Sequence, residues 1–313
     1  MPGDVSPEVN EHCIYLICVF FYQRSSISNN DWFGPLYSLY MDFRKLTFRR
    51  IANSAKWRFL RKYNRVIQIL ESRKFRSQLA FDRFLEAKFN RNETYRYFQK
   101  SFRVWSPNWV RKHRSYFATE GRGFGEDAFH AAWIALICEF KPKKMLEIGV
   151  YRGQTLSLWA LAGKKLGLSQ EILGISPLDS SGDEVSLYQS LDYLSDIQTN
   201  FRYFGLPNPD LLKAFSTDVE ALQVIESGNW DLIYIDGSHE YSVVNSDLKA
   251  AAKGLVSGGI LVIDDSSLFT DFKLSTSEAF RGHPGPSKVF EEIDSSEFEF
   301  LFGVGHNNVL RKR

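Results

Sequence analysis

The chain has 313 residues, 44% hydrophobic and 24% charged, enough for one large α/β domain plus an extension or for two modest domains. Its formal net charge of +2 hides an asymmetry: residues 1–125 hold 23 Lys and Arg against 10 Asp and Glu, and the remainder holds 16 against 27. A basic, aromatic-rich first part can lie against phosphates, anionic lipid or the acidic remainder of its own chain, and a solvated helical face is the plain alternative. Cys13, Cys18 and Cys138 form no C-x-x-C pair and leave an odd thiol, which fits a reducing compartment and a cytoplasmic protein.

In chain order, the first apolar run is "CIYLICVFFY" at 13–22. It is about half the length that crosses a bilayer and follows acids instead of a basic segment, so neither a transmembrane span nor a secretory signal is expected. Buried structure or a weak interfacial anchor remains. From about Asn30 to Arg114, short aromatic stretches alternate with basic residues, and Phe59, Leu60, Tyr63, Val66, Ile67 and Leu70 recur at helical spacing. Amphipathic helices are expected there. No internal repeat or low-complexity tract interrupts them, and the glycine-rich "EGRGFGED" at 120–127 punctuates the chain before a second unit. The expected division is a basic, mainly helical region at 1–119 and a second domain at 120–313.

That domain opens with "AFHAAWIALICEF", apolar around most of a helix and therefore buried, with Glu126 and Asp127 where a helix start favours negative charge. Then "KMLEIGV", "EILGIS", "DLIYIDG" and "GILVIDD" alternate with helical segments, the pattern of a parallel sheet with ligands above the carboxyl ends of its strands. The crossover helix after "DLIYIDG" is expected to turn Val243, Val244, Leu248, Ala251, Ala252 and Leu255 toward the sheet. The closing "FEFLFGVGHNNVLRKR" reads as an antiparallel hairpin on one sheet edge.

Two places carry chemistry. "LEIGVYRGQT" sets Glu147, Gly149 and Gly153 between a strand and a helix, where glycine lets a ligand approach the main chain and free N–H groups face it. The dinucleotide pattern G-x-G-x-x-G is absent, and an acid ahead of the first glycine suits a cofactor with a positive group. Further on, Asp236 ends one strand and Asp264 with Asp265 ends the next, bringing three carboxylates and His239 over one rim. Such carboxylates repel unless a cation or cationic substrate sits among them, and oxygen ligands suit a hard ion such as Mg2+. A capping role for Asp236 is the simpler alternative.

On "LEIGVYRGQT" and the strand-turn-helix around it, the segment 120–313 resembles the class I S-adenosylmethionine-dependent methyltransferases. The resemblance implies an α/β, Rossmann-like, mostly parallel seven-stranded sheet with a C-terminal antiparallel hairpin. Glu147 would orient the methionine amino group of S-adenosylmethionine, and Gly149, Tyr151, Gly153 and Thr155 would line its methionine and ribose side. Ser176 stands where the family has a ribose-binding acid, so Asp179 would reach the ribose only if its loop folds back. Ser216 would flank the adenine, although Ala214 replaces the usual glycine; a helix cap by Ser216 or Thr217 is the alternative.

"DGSHEY" and "DD" are similar to the strand ends of O-methyltransferases acting on sugars and other small hydroxylated molecules, among them macrolide-sugar methyltransferases and the cephalosporin hydroxylase family. That likeness implies a divalent metal, Mg2+, on Asp236, Asp264 and Asp265, with His239 or Asp236 serving catalysis on a small hydroxylated acceptor. One acid could instead position the cofactor. The absence of an N-P-P-Y type motif and the spread of the basic residues argue against a nucleic-acid acceptor, which stays as the second reading. A non-catalytic protein keeping the fold is the third. His12, His113, His130, His283 and His306 show no partner pattern.

Overall fold

Strong strand formers and helix-period segments alternate from Lys144 onward, and they assemble as that alternation requires. The computed structural model describes residues 90–180, 191–273 and 280–313. The apolar run at 13–22, the expected helices around Phe59–Leu70 and most of the basic region lie outside the described residues. Three helices come first: α1 (Arg91–Trp105), α2 (Asn108–Phe117) and α3 (Asp127–Phe140). The remaining elements are β1 (Lys144–Ile148), α4 (Gln154–Leu166), β2 (Glu171–Ser176), α5 (Tyr193–Tyr203), β3 (Asp210–Lys213), α6 (Val219–Ser227), β4 (Trp230–Ile235), α7 (Tyr241–Gly254), β5 (Leu255–Ile263), α8 (Pro284–Glu291), β6 (Phe298–Val304) and β7 (Asn307–Lys312).

These strands form one seven-stranded sheet of order β3-β2-β1-β4-β5-β7-β6. β3, β2, β1, β4 and β5 run parallel, and β7 joins β5 antiparallel, with β6 outermost. This is the expected mostly parallel sheet with its C-terminal hairpin. β3 is the strand that no apolar run announced: "DLLK" is short and half exposed, and only its pairing with β2 makes it a strand.

Alternate residues of the central strands feed two cores. Met145, Leu232, Tyr234, Ile260 and Val262 face α1, α3 and α4, with Trp133 and Trp159 packed edge-to-face on Tyr234. Leu146, Ile148, Ile233, Ile235, Leu261 and Ile263 face α6, α7 and α8. Burying each such side chain contributes roughly 1.5–3 kcal/mol. α3 is buried along its length from Ala128 to Ile137, as its uniform apolarity demands.

The helices before residue 120 share this core. Tyr95 and Phe98 are fully buried, and Phe98 packs on Phe302 of β6. Arg91 is also buried, donating to the carbonyls of Gly305 and Asn307 and to Asn308 Oδ1, so it ties α1 to the β6–β7 hairpin. Among the described residues no helix is long and apolar enough to cross a membrane.

α7 is turned from the expected face. Val244, Asp247, Ala250, Ala251 and Gly254 are buried, while Val243, Leu248 and Ala252 are only half buried. Gly254 explains the rotation: a Cβ there would stand 1.8 Å from the Ile225 carbonyl oxygen, so α7 presents its smallest residues to α6. The N-cap position of α6 is Asp218, not Ser216 or Thr217, and its carboxylate accepts from the preceding Phe215 N–H at 2.9 Å without bonding into the helix.

Candidate functional site

The glycine turn and the acidic strand ends are built as one unit. The Gly149 N–H donates to the Ile175 carbonyl at 2.9 Å, and the Asp236 N–H donates to the Ile148 carbonyl at 2.8 Å. Gly149 has φ of +92°, and a Cβ on it would lie 2.0 Å from the Asp236 carbonyl oxygen. Only glycine lets the exits of β1 and β4 approach this closely. Gly153, with φ of +78°, is the N-cap of α4.

Around this turn the sequence-named residues separate. Tyr151 donates to the Gly121 carbonyl at 2.9 Å and packs against Phe124 and Tyr193, so the glycine-rich segment at 120–125 folds over the turn. Arg152 holds that segment through the Glu120 carbonyl and pairs with both carboxylate oxygens of Asp196 at 2.7 and 2.8 Å. Glu147 is buried beneath the turn, where it accepts from the Leu156 N–H at 3.2 Å and from Thr155. Burial pushes its carboxyl well above the usual range. Its partners here are thus the first turn of α4. Asp179 is exposed with Lys213 4.0 Å away, and the Ser176 hydroxyl accepts from the Leu178 N–H. Ser216 is half buried just beyond β3.

At the other side of the turn, Asp236 and Asp264 share a hydrogen bond. Burial, then the Asp264 charge, pushes the Asp236 carboxyl well above the usual carboxylate range. Asp264 is pushed up by the same burial, but His306 and the bond from Asp236 outweigh it and hold it below that range. His306 answers in kind: burial alone would depress it, yet Asp264, 3.2 Å away, lifts it to about 9. An imidazolium with Nδ1 facing the Phe280 carbonyl at 3.3 Å therefore closes the rim.

Asp265 does different work. Its Oδ2 lies 3.1 Å from His239 Nε2 and 3.7 Å from His283 Nε2, and the two imidazole rings stack at 3.7 Å with planes 15° apart. The side chains of His239 and His283 remain 21% and 35% exposed, so this pair opens outward from the rim. Asp236 does not cap α7, whose N-cap is Glu240.

His283 and His306 are the residues that sequence reasoning missed. His306 sits in the β6–β7 turn, and the antiparallel pairing of β7 with β5 carries that turn back to the carboxyl ends of the parallel strands. His283 is the N-cap of α8, followed by Pro284, and a Cβ on Gly285 would meet the His239 carbonyl at 2.1 Å. Glycines beside both histidines were the available signal.

A metal would have two sets of groups to choose from among the described residues, His239 with Asp265 and His283, and Asp264 with Asp265 and His306, each with ligand atoms within 4.8 Å of one another. Neither is the all-oxygen set that Mg2+ prefers. Asp236 and Asp264 are engaged with each other, and a cation cannot lie in the planes of two rings stacked 15° apart. The residues as arranged do not fit Mg2+.

Residues 146–266 match the family described as "Methyltransferase domain". The uncharacterized protein R132 of Acanthamoeba polyphaga mimivirus is 26% identical over 155 residues, covering 49% of this chain and 62% of that protein, so the chain spans less than two thirds of this relative's length. Among solved structures, the S-adenosylhomocysteine-bound methyltransferase PaMTH1 of Podospora anserina is 15% identical, covering 66% of this chain and 89% of that one with a TM-score of 0.47. An O-methyltransferase from Bacillus cereus bound to the same product is 16% identical, covering 71% and 99%, also with a TM-score of 0.47. The family match runs from the middle of β1 to the serine after β5, the span holding the glycine turn and both acidic strand ends. This segment, and not the chain as a whole, is what resembles a methyltransferase domain.

Proposed function

We propose that the chain transfers a methyl group from S-adenosylmethionine to a hydroxyl of a small acceptor such as a sugar or secondary metabolite. The observation that carries this reading is the His239–Asp265 pair, partly exposed at the strand end beside a turn that only glycine can make. Bound there, the cofactor supplies a methyl on a positively charged sulfur, an electrophile that needs no further activation.

The glycine turn suits such a ligand, because it closes the exit of β1 against β4 at Gly149 and starts α4 at Gly153, and a helix start presents main-chain N–H groups that have no intrahelical partner. Gly149, Tyr151 and Gly153 would hold the cofactor, with Ser216 further along the strand ends. Asp179 joins them only if it leaves Lys213. Glu147 would act indirectly by fixing the start of α4, where Leu156 and Thr155 bind it.

A hydroxyl is a poor nucleophile at neutral pH, so its proton must leave as the new C–O bond forms. Asp265 accepts from His239 Nε2, which fixes the tautomer and gives Nδ1 the lone pair that takes that proton. The proton moves from the acceptor oxygen to Nδ1 and the carboxylate of Asp265 stabilises the resulting imidazolium, the same division of labour as in other carboxylate–histidine pairs. The partly buried Asp236 and Asp264, with the buried His306 beside Asp264, link the two strand ends and are given no proton-transfer role. No step is assigned to a metal.

The test is isothermal titration of the full chain with S-adenosylmethionine, followed by radiolabelled methyl transfer to a panel of deoxysugars, glycan precursors and phenols. Binding without transfer to any hydroxyl, together with transfer to RNA, would reassign the acceptor. No binding at millimolar cofactor would end the reading.

A further inference from the structure

His283 is the imidazole at the strand ends that the proposed proton transfer does not use. It is the N-cap residue of α8, yet its side chain makes no capping hydrogen bond. Its ring instead lies flat on that of His239, with centroids 3.7 Å apart and planes at 15°. Both Nε2 atoms face the same oxygen of Asp265, His239 at 3.1 Å and His283 at 3.7 Å. The second distance is too long for a hydrogen bond, so His239 is the ring bonded at that oxygen, and His283 bears on its neighbour through the ring face.

His239 needs such a restraint. It stands in the connection between β4 and α7, and its side chain is 21% exposed. A hydrogen bond at Nε2 by itself fixes one point of the imidazole, which can still swing about that contact through the broad outer torsion of histidine. The swing carries Nδ1 out of line with an acceptor oxygen, and misplacement by about 1 Å can cost a factor of about 10² in rate. A second ring laid on the first removes this freedom, provided the second ring is itself held.

His283 is held. Its N–H donates to the Asp265 carbonyl at 2.8 Å, and Gly282 before it has φ of +98°, where a Cβ would stand 2.1 Å from the same carbonyl oxygen. The Ser287 hydroxyl, one turn into α8, donates to that carbonyl at 3.3 Å and accepts from the Leu268 N–H at 2.9 Å. Pro284 follows at the first position of the helix, where its ring fixes the backbone. Gly285 seats α8 directly on the residues to be restrained, since a Cβ on it would meet the His239 carbonyl oxygen at 2.1 Å and the Tyr241 nitrogen at 2.8 Å. Phe280 packs edge-to-face against the His283 ring at 5.2 Å and braces it further.

We propose that His283 is a positioning residue, whose ring, locked to the exit of β5, holds the His239 imidazole in the orientation that turns Nδ1 toward the acceptor hydroxyl. This inference rests on the reading of His239 as the base for methyl transfer. The role asks residue 283 for a flat ring and for neither a charge nor a hydrogen bond, so phenylalanine serves there and glutamine does not.

The experiment compares full-length wild type with His283→Ala, His283→Gln and His283→Phe. Turnover is measured with the deoxysugar, glycan precursor or phenol that the wild type methylates fastest, and cofactor affinity by titration with S-adenosylhomocysteine. His283→Ala and His283→Gln are expected to lower kcat by about tenfold or more with KM and cofactor affinity within about threefold, and His283→Phe to stay within about threefold of wild type throughout. A second readout needs no turnover. In protein labelled with ¹³C-histidine, the ring signal of His239, assigned by its loss in His239→Gln, should carry the ring-current displacement of a stacked neighbour in the wild type and in His283→Phe. It should move toward the position of free histidine, with raised ring mobility in relaxation, in the other two variants. Wild-type kcat in His283→Ala or His283→Gln, or a His283→Phe as slow as His283→Ala, overturns the positioning role, as does a His239 signal unchanged by His283→Ala. A wild type that methylates none of the compounds overturns the methyl-transfer reading and this role with it, and the ring signal, which reports the stack alone, keeps the two failures apart. Should His283→Ala not fold, the glutamine and phenylalanine variants decide by the same comparison.

Discussion

Replacing Gly149 by alanine tests the junction on which the proposed site depends. The residue has φ of +92°, and its new Cβ would stand 2.0 Å from the Asp236 carbonyl oxygen, 2.5 Å from the carbonyl carbon and 2.6 Å from Gly237 Cα. All three are backbone atoms, so no side chain can rotate away. The dihedral costs an L-residue roughly 1–2 kcal/mol. Parting two hydrogen-bonded strand exits by about 1 Å adds roughly 1–3 kcal/mol, as overpacking of a rigid core does. The sum, about 2–5 kcal/mol, is a large part of a typical domain's stability and corresponds to a melting temperature lower by roughly 4–20 °C. Gly167→Ala is the control, because Gly167 has φ of +68° and a Cβ there would meet nothing within 4 Å, so it carries the dihedral cost alone. Thermal and denaturant unfolding of both variants, with cofactor titration of each, separates the effects. Gly149→Ala should lose cofactor affinity by about tenfold or more while Gly167→Ala keeps it, since a change of only about 1.4 kcal/mol at the turn suffices for that loss. Equal destabilisation by the two substitutions would refute the claim that close strand approach makes Gly149 necessary.

His239→Gln should lower kcat by about 10²–10⁴ with cofactor affinity within a few-fold, the usual effect of losing a general base; an unchanged kcat would remove His239 from the chemistry. Protein treated with EDTA and protein supplied with Mg2+ are expected to turn over at about the same rate. A roughly tenfold stimulation by Mg2+ would show that Asp236 and Asp264 part to make an oxygen cage. The third expectation concerns acid stability. His113 and His130 are buried together, joined at 3.2 Å, with Ser157 2.9 Å from the other nitrogen of His113. Burial pushes His113 well down and His130 to about 3, so both are neutral in the fold. The unfolded chain takes up these protons below about pH 6.5, so the stability they support is complete above that pH and is lost as pH falls toward their folded values. Relative to a His113→Phe, His130→Phe double variant, in which all other titrations cancel, the wild type should lose about 1.4 kcal/mol per imidazole per pH unit below that point. Parallel stability curves for the two proteins between about pH 5 and 7 would contradict this.

The alternation of β-branched runs with helical segments determined the parallel sheet, and the two apolar stretches around Gly305 determined the hairpin, because strand and helix periodicities are local properties of a chain. The glycine turn at Gly149 and Gly153 was legible for the same reason, since a strand that must exit sharply into a helix needs residues without a Cβ. Asp236, Asp264 and Asp265 were legible as strand-end acids. What they touch was not. Asp236 bonds to Asp264 because β4 and β5 are neighbours, and Asp264 is balanced by His306 only because β7 returns antiparallel beside β5. The same holds for His283, which reaches His239 through the packing of α8. Sequence periodicity fixes which residues share an element and roughly which end they occupy. Which charged groups share a proton is decided by contacts between residues tens of positions apart, and those exist only once the crossovers have set the strand order.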